Sequence, residues 1–316
     1  MATPSSVKFY PFVHYISFVF SVFVSIFFGS IYTEGDQHFY KMWFDEISKL
    51  NLVDGYFYYA SQVNYFEILH FAVNWFGGLV FDKLTLYTIV NVLFVFLLVE
   101  VFRKVSFSPL LAMLIILTNF YIPVLLLAAE RLKFGFLFLF LFLLVNTKKR
   151  KLMMAALTLI GHLQFLVLWA SLGIGVVVTR VFRYNSLSKV PKSYFAALFL
   201  GMILLFIFKD HLLYKLLSYV KYGGLNNIFK PLAFMIISIY CCRSKVSFII
   251  GLFMGLTIAS FILGAERITI FACVAFFYFS SFRNKGFNVP TLLLIPYFGF
   301  KSIEFYTNII TNGTGF

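Results

Sequence analysis

Apolar residues fall in long unbroken runs along this chain, separated by short polar or cationic interruptions. That pattern predicts helices that cross a bilayer, because a membrane barrel would alternate apolar and polar positions in short segments. The first run, Phe9–Ile31, is too long for a signal-peptide core and has no small-residue cleavage site after it, so it reads as a retained first span with the N-terminus inside. Tyr32–Gln62 then carries Glu34, Asp36, Asp45, Glu46 and Asp54 among aromatics, the longest polar stretch, and reads as external.

Asn64–Phe81 (NYFEILHFAVNWFGGLVF) holds Glu67, His70, Asn74 and a Gly-Gly pair, which make it a poor hydrocarbon span. A crossing there would also put Arg103, Lys104 and the cations at 148–151 outside, against the positive-inside rule. It is therefore expected at the external interface, with Trp75 as an anchor. Spans follow at Leu84–Phe102, Pro109–Ala129 and Phe134–Asn146. Leu152–Thr179 looks like one long span, yet one crossing would place Arg180, Arg183, Lys189 and Lys192 outside, so two helices meeting near His162, a re-entrant pair, are expected instead. The remaining spans are Tyr194–Phe208, Phe229–Cys242, Val246–Gly264, Ile268–Phe282 and Val289–Phe300.

The expected fold is an all-α polytopic membrane protein with about ten to eleven transmembrane or re-entrant helices. It forms a single integral domain over residues 1–316, with an external loop and interfacial helix at 32–83 and a second external loop at 209–228. Composition agrees: 61% hydrophobic residues, 12% charged residues and a mean hydropathy of +0.92 exclude an ordinary soluble domain. The formal charge of +14 is spread between apolar segments, where membrane orientation accounts for it and nucleic acid does not. On the expected topology Glu100 is the inner side's only acid. Cys241, Cys242 and Cys273 lack paired spacing and read as packing residues. The sequence has no phosphate-binding loop, no dinucleotide glycine fingerprint and no H-E-x-x-H, which argues against an ATP-driven pump and a zinc protease.

Several expected spans are short against the roughly 20 residues a crossing helix needs, which suits a water-filled cavity in the outer half of the membrane. Arg131, His162 and Arg267 then need not face lipid. The polar residues on that side are Asp36, Glu67, Glu130, Arg131, His162, Lys209, Lys221, Tyr222, Glu266 and Arg267. Guanidinium groups at a cavity rim suit an anion such as a diphosphate, and nearby carboxylates or a histidine suit proton removal from an attacking hydroxyl. Each residue also has a plainer reading. Arg131 is an end-of-helix cation, His162 a hydrogen-bonded packing residue, Asp36 a turn residue after Gly35 and Lys221 a solvated cation, while Glu130 and Glu266 each neutralise the arginine that follows.

In order and rough spacing these residues resemble the EpsG/Wzy-type polysaccharide (O-antigen) polymerases of bacterial envelopes. GDQHFY (Gly35 to Tyr40) is similar to that family's external G-x-D element, and NYFEILHF (Asn64 to Phe71) to its amphipathic stretch, without the proline. Arg131, the basic cluster at 148–151 and His162 follow the family's order, with Gly135 where an alanine is usual. Lys221–Tyr222 and Arg267 match late positions. The resemblance implies a GT-C-like membrane glycosyltransferase with an outer-side cavity, multi-pass in the bacterial inner membrane and facing the periplasm. It joins undecaprenyl-diphosphate-linked oligosaccharide units, with the lipid diphosphate as leaving group and neither metal nor cofactor. Arg131 and Arg267, with Lys221 and Tyr222, are implied to hold the diphosphate. His162 orients or deprotonates, and Asp36 or Glu67 contacts sugar or acts as base. A chain-length regulator and a flippase are the further partners this implies. The rival readings are a lipid-linked oligosaccharide flippase or transporter and an O-antigen ligase.

Overall fold

The computed structural model describes residues 4–63, 67–184 and 224–316. The expected span Tyr194–Phe208, the 209–228 loop up to residue 223, and Lys221 and Tyr222 lie outside the described residues. Among the described residues the chain is all helical, and four helices are long and apolar enough to cross a membrane, or five if one bent pair counts as a span. That is the construction of a helical membrane protein. It divides into two compact units, residues 1–165 with 289–316, and residues 166–288.

In the first unit α1 (Pro4–Phe23) continues through a π turn and a last α turn to Ile31, the expected first span. Residues 32–83, expected to be a loop with one interfacial helix, instead form three short helices: α2 (Asp36–Ile47), α3 (Leu52–Val63) and α4 (Ile68–Gly78). Ile47, Tyr59 and Phe71 form their shared core, with Trp43, Tyr56 and Trp75 packed around it. Burial of these large rings holds together helices too short to be stable alone. Trp75, expected as an interfacial anchor, is partly buried and donates its indole N–H to the Leu50 carbonyl at 3.0 Å. At 11 residues α4 is too short to cross, as its polar residues predict.

Next comes α5 (Lys83–Lys104), capped by the Asp82 carboxylate, which accepts from the Thr85 N–H at 2.9 Å. The expected span Pro109–Ala129 is broken: α6 (Pro109–Thr118) and a second helical stretch, Tyr121–Ala128, meet at a 64° bend. Asn119 sits at that break, and its side-chain oxygen accepts the Tyr121 N–H at 2.9 Å, an Asx-type restart. The chain breaks again at Ala129 (φ −106°, ψ 56°), and α7 (Glu130–Leu144) begins.

Thr147 precedes α8 (Lys148–Gly161), which packs back on α7. A Cβ at Gly161 would lie 2.8 Å from the Gly135 nitrogen, and one at Gly135 would lie 2.2 Å from Phe165 Cε2. No alanine fits at Gly135 with its neighbours as they stand, a physical reason for glycine at this position. As parity predicts, the 152–179 run is two helices. His162 ends α8, and α9 (Phe165–Tyr184) starts three residues later. The unit is completed by α13 (Val289–Asn312), which runs past the expected end at Phe300: Ser302, Phe305 and Ile309 bury one face of the extension, and Lys301 and Glu304, one turn apart, pair at 2.6 Å on its exposed side. Its end is tied down, with the Thr33 and Glu34 N–H groups donating to the Gly313 carbonyl at 3.0 and 2.9 Å.

The second unit contains most of α9 with α10 (Phe229–Cys241), α11 (Val246–Leu263) and α12 (Ala265–Ser280), each within a few residues of its expected position. Small residues let α9 and α11 approach closely: a Cβ on Gly255 would meet Ser171 Oγ at 2.6 Å, and one on Gly251 would meet Gly175 Cα at 2.7 Å. All three cysteines are buried and none is in a disulfide among the described residues, in line with the packing role their sequence context predicts.

Candidate functional site

The break before α7 leaves carbonyls without helical partners, and such groups need donors when buried. Polar side chains supply them: the Leu126 carbonyl accepts from Lys133 Nζ at 2.9 Å and Asn91 Nδ2 at 3.1 Å, and the Leu127 carbonyl accepts from Gln37 Nε2. Around this broken turn the first unit buries two charge clusters, and α7 feeds both from adjacent residues.

Arg131 serves the first. Its Nη1 lies 3.3 Å from Glu67 Oε2, while His162 Nε2 lies 3.5 Å from Glu67 Oε1. Glu67 is 2% exposed, and it comes from the residue before α4, Arg131 from the first turn of α7 and His162 from the end of α8. Arg131 Nε also donates to the Tyr40 hydroxyl at 3.4 Å. Burial pushes the Tyr40 phenol up to about 12, so it stays protonated. The Gln164 backbone N–H donates to His162 Nδ1 at 3.1 Å, which assigns the proton of a neutral imidazole to Nε2, facing Glu67.

Glu130 serves the second. Rather than neutralising Arg131, it accepts from Gln37 Nε2 at 2.7 Å and pairs with Lys83 Nζ at 3.3 Å. Lys83 in turn donates to Gln37 Oε1 at 2.7 Å. Lys133, fully buried, donates to Asn91 Oδ1. These groups border a cavity of about 340 Å³ whose wall includes Gln37, Lys83, Tyr87, Asn91 and Glu130.

Between the clusters stands His70, its Nδ1 2.8 Å from the Tyr59 hydroxyl and its Nε2 2.9 Å from the Tyr87 hydroxyl. Burial pushes its imidazole down to about 4, so at neutral pH its 3.9 Å approach to Glu130 is not an ion pair. The folded value lies below the unfolded one of 6.5, so the unfolded chain binds more protons between the two. Stability from this group is present above pH 6.5 and is lost as pH falls toward 4, by about 3 kcal/mol in all. Thermal denaturation of detergent-solubilised protein is expected to show this acid destabilisation and to lose most of it in His70→Gln.

Of the residues singled out from sequence, Glu67, Arg131 and His162 are brought together. Asp36 stays exposed in the first turn of α2, outside the buried clusters, and it is Gln37 and Tyr40 of the same GDQHFY stretch that reach them. The side chain of Arg267, like Lys221 and Tyr222 altogether, lies outside the described residues. Sequence reasoning missed Gln37, Lys83, Asn91 and Lys133. The available signal was a lysine and an asparagine inside otherwise apolar helices, Lys133 and Asn91, the kind of residue that is costly in a membrane protein unless paired. No protein-family model, curated protein or solved structure matches the chain.

Proposed function

We propose that the protein is a polysaccharide polymerase of the bacterial inner membrane, joining undecaprenyl-diphosphate-linked oligosaccharide units on the periplasmic side. The observation that carries this reading is the convergence of Glu67, Arg131 and His162, from three separate segments, on one buried contact. A carboxylate can take the proton of an attacking hydroxyl and a guanidinium can stabilise a departing diphosphate, the two roles that glycosyl transfer from a diphosphate calls for.

The balanced step is a displacement at the anomeric carbon of the donor. The acceptor hydroxyl oxygen forms the new C–O bond, the bond to the diphosphate oxygen breaks with its electron pair, and the hydroxyl proton goes to a base. Glu67 is assigned as that base. His162 is assigned an orienting role, since its Nδ1 lone pair already accepts the Gln164 N–H and its Nε2 faces the carboxylate. Arg131 stabilises the negative charge that builds on the departing diphosphate, moving from Glu67 toward it as the carboxylate is protonated. Arg267, Lys221 and Tyr222 remain proposed diphosphate ligands on the sequence resemblance alone, and a GT-C-like arrangement belongs to the same proposal.

Purified protein in lipid nanodiscs, given lipid-linked repeat units and no energy source, is expected to produce a ladder of longer lipid-linked glycans on a gel. Units that never lengthen, but cross the bilayer of a proteoliposome, would replace this reading with the flippase. Transfer only to a non-repeat acceptor would replace it with the ligase.

A further inference from the structure

The polymerase reading leaves the cations at 148–151 without a role. They follow the end of α7 opposite Arg131, about 20 Å along that helix, so they are no part of the triad. Hydrogen bonds gather the start of α1, the ends of α5 and α7 and the start of α8 on one side of the first unit. The Tyr10 hydroxyl donates to the Phe107 carbonyl at 2.8 Å, His14 Nε2 lies 2.8 Å from Glu100 Oε1, and Lys104 Nζ donates to the Leu144 carbonyl at 2.6 Å and to Asn146 Oδ1 at 2.8 Å. On the expected topology this side faces the cytoplasm.

The cations here divide into two groups. Arg103 pairs with Glu100, and Lys104 serves the last carbonyl of α7, where a positive charge is favourable. Glu100 is already shared between His14 and Arg103. Lys148, Lys149 and Arg150, by contrast, are exposed, and their side chains make no hydrogen bond or ion pair with any described residue. Lys151, partly buried, lies over the Phe142 ring at 5.7 Å. All four occupy the first turn of α8, where the helix dipole is also positive and Thr147 supplies no side-chain cap. Like charges gathered there repel one another and the dipole, a cost that an external anion removes. The next two residues, Leu152 (74% exposed) and Met153 (51%), are apolar and open. A cationic turn followed at once by exposed apolar side chains matches the boundary between headgroups and acyl chains, whereas an acidic peptide would meet the charges and leave Leu152 and Met153 in water. We propose that Lys148, Lys149 and Arg150 form a docking site for anionic phospholipid headgroups of the inner leaflet, with Leu152 and Met153 against the acyl chains. The inference is independent of the polymerase reading, since it needs only a bilayer with a charged leaflet.

The test is native mass spectrometry of the full-length protein released from nanodiscs that hold equal amounts of phosphatidylglycerol and phosphatidylcholine with the same acyl chains. Retained phosphatidylglycerol is expected to exceed phosphatidylcholine. The excess should fall about fivefold for each cation removed, and about a hundredfold in the triple variant Lys148→Gln, Lys149→Gln, Arg150→Gln. Salt at about 0.5 M should shrink it as well, because these charges are exposed. For the same reason the variants should melt with the parent protein. Lys49→Gln with Lys301→Gln removes two cations that have acidic partners at 2.9 and 2.6 Å. It lowers net charge as much as Lys148→Gln with Lys149→Gln does, and it should leave the preference intact. No preference for phosphatidylglycerol, a preference kept in the triple variant, or an equal loss in the Lys49, Lys301 control would each overturn the proposal. Displacement of the lipid by inorganic pyrophosphate or by hexaglutamate would overturn it too, the first in favour of a free anion and the second in favour of an acidic protein segment.

Discussion

Glu67→Gln is expected to cut glycan elongation by about 10²–10⁴-fold, the range that a positioned general base contributes. The amide has the same shape, but its one oxygen can accept from Arg131 or from His162 Nε2 and not from both, and it cannot take the acceptor's proton. It also leaves Arg131 facing a neutral group within 3.3 Å where a carboxylate stood, so some loss of stability accompanies the change. Melting temperature and turnover measured on one preparation separate the two effects. A structural defect lowers the folded fraction, whereas loss of the base lowers the rate of protein that remains folded and removes the acid limb of its pH–rate profile. His162→Gln, which keeps a side-chain amide toward Glu67, should cost less than Glu67→Gln if the imidazole orients rather than deprotonates. Elongation by Glu67→Gln at the parent rate would take the base assignment away.

The pattern of apolar runs made most of the spans legible, because hydrocarbon tolerates few polar groups and the runs end where charges begin. Lysine and arginine placement supplied what hydropathy could not, the break at His162. Other features were not legible because they depend on contacts between distant segments. Successive helical residues point about 100° apart. Glu130 and Arg131 therefore face different neighbours, and the local assumption that one neutralises the other fails. Their partners, Lys83 and Glu67, lie far back in the sequence, in segments whose folded position the apolar pattern did not give. Residues 32–83 read as a loop because the core of their three helices is a few rings, Tyr59 and Phe71 among them, too sparse to register as an apolar run. The bend at Asn119 was hidden for the opposite reason, since a single asparagine hardly disturbs a strongly apolar window.

Removing Glu130 tests how the second cluster is held together. Its carboxylate is the acid that faces Lys83 at 3.3 Å, and Lys133 sits one turn further along the same helix, buried on the carbonyl side of the break. Glu130→Leu therefore leaves the buried Lys133 and the partly buried Lys83 without their nearest carboxylate, and because Lys83 keeps some solvent contact the loss is expected near the lower end of the about 3–5 kcal/mol typical of a buried pair broken on one side. Denaturation of the detergent-solubilised protein should show a loss of that size. Lys83→Met alone should cost less, since Glu130 keeps Gln37 as a donor. The double variant Lys83→Met, Glu130→Leu should recover part of the loss, with a coupling of about 1 kcal/mol or more, because an apolar pair then replaces the ion pair. Strict additivity of the two single changes would mean that the ammonium and the carboxylate do not interact in the folded protein. The turn that presents Arg131 to Glu67 would then be fixed by the carbonyl contacts of Lys133, Asn91 and Gln37 instead.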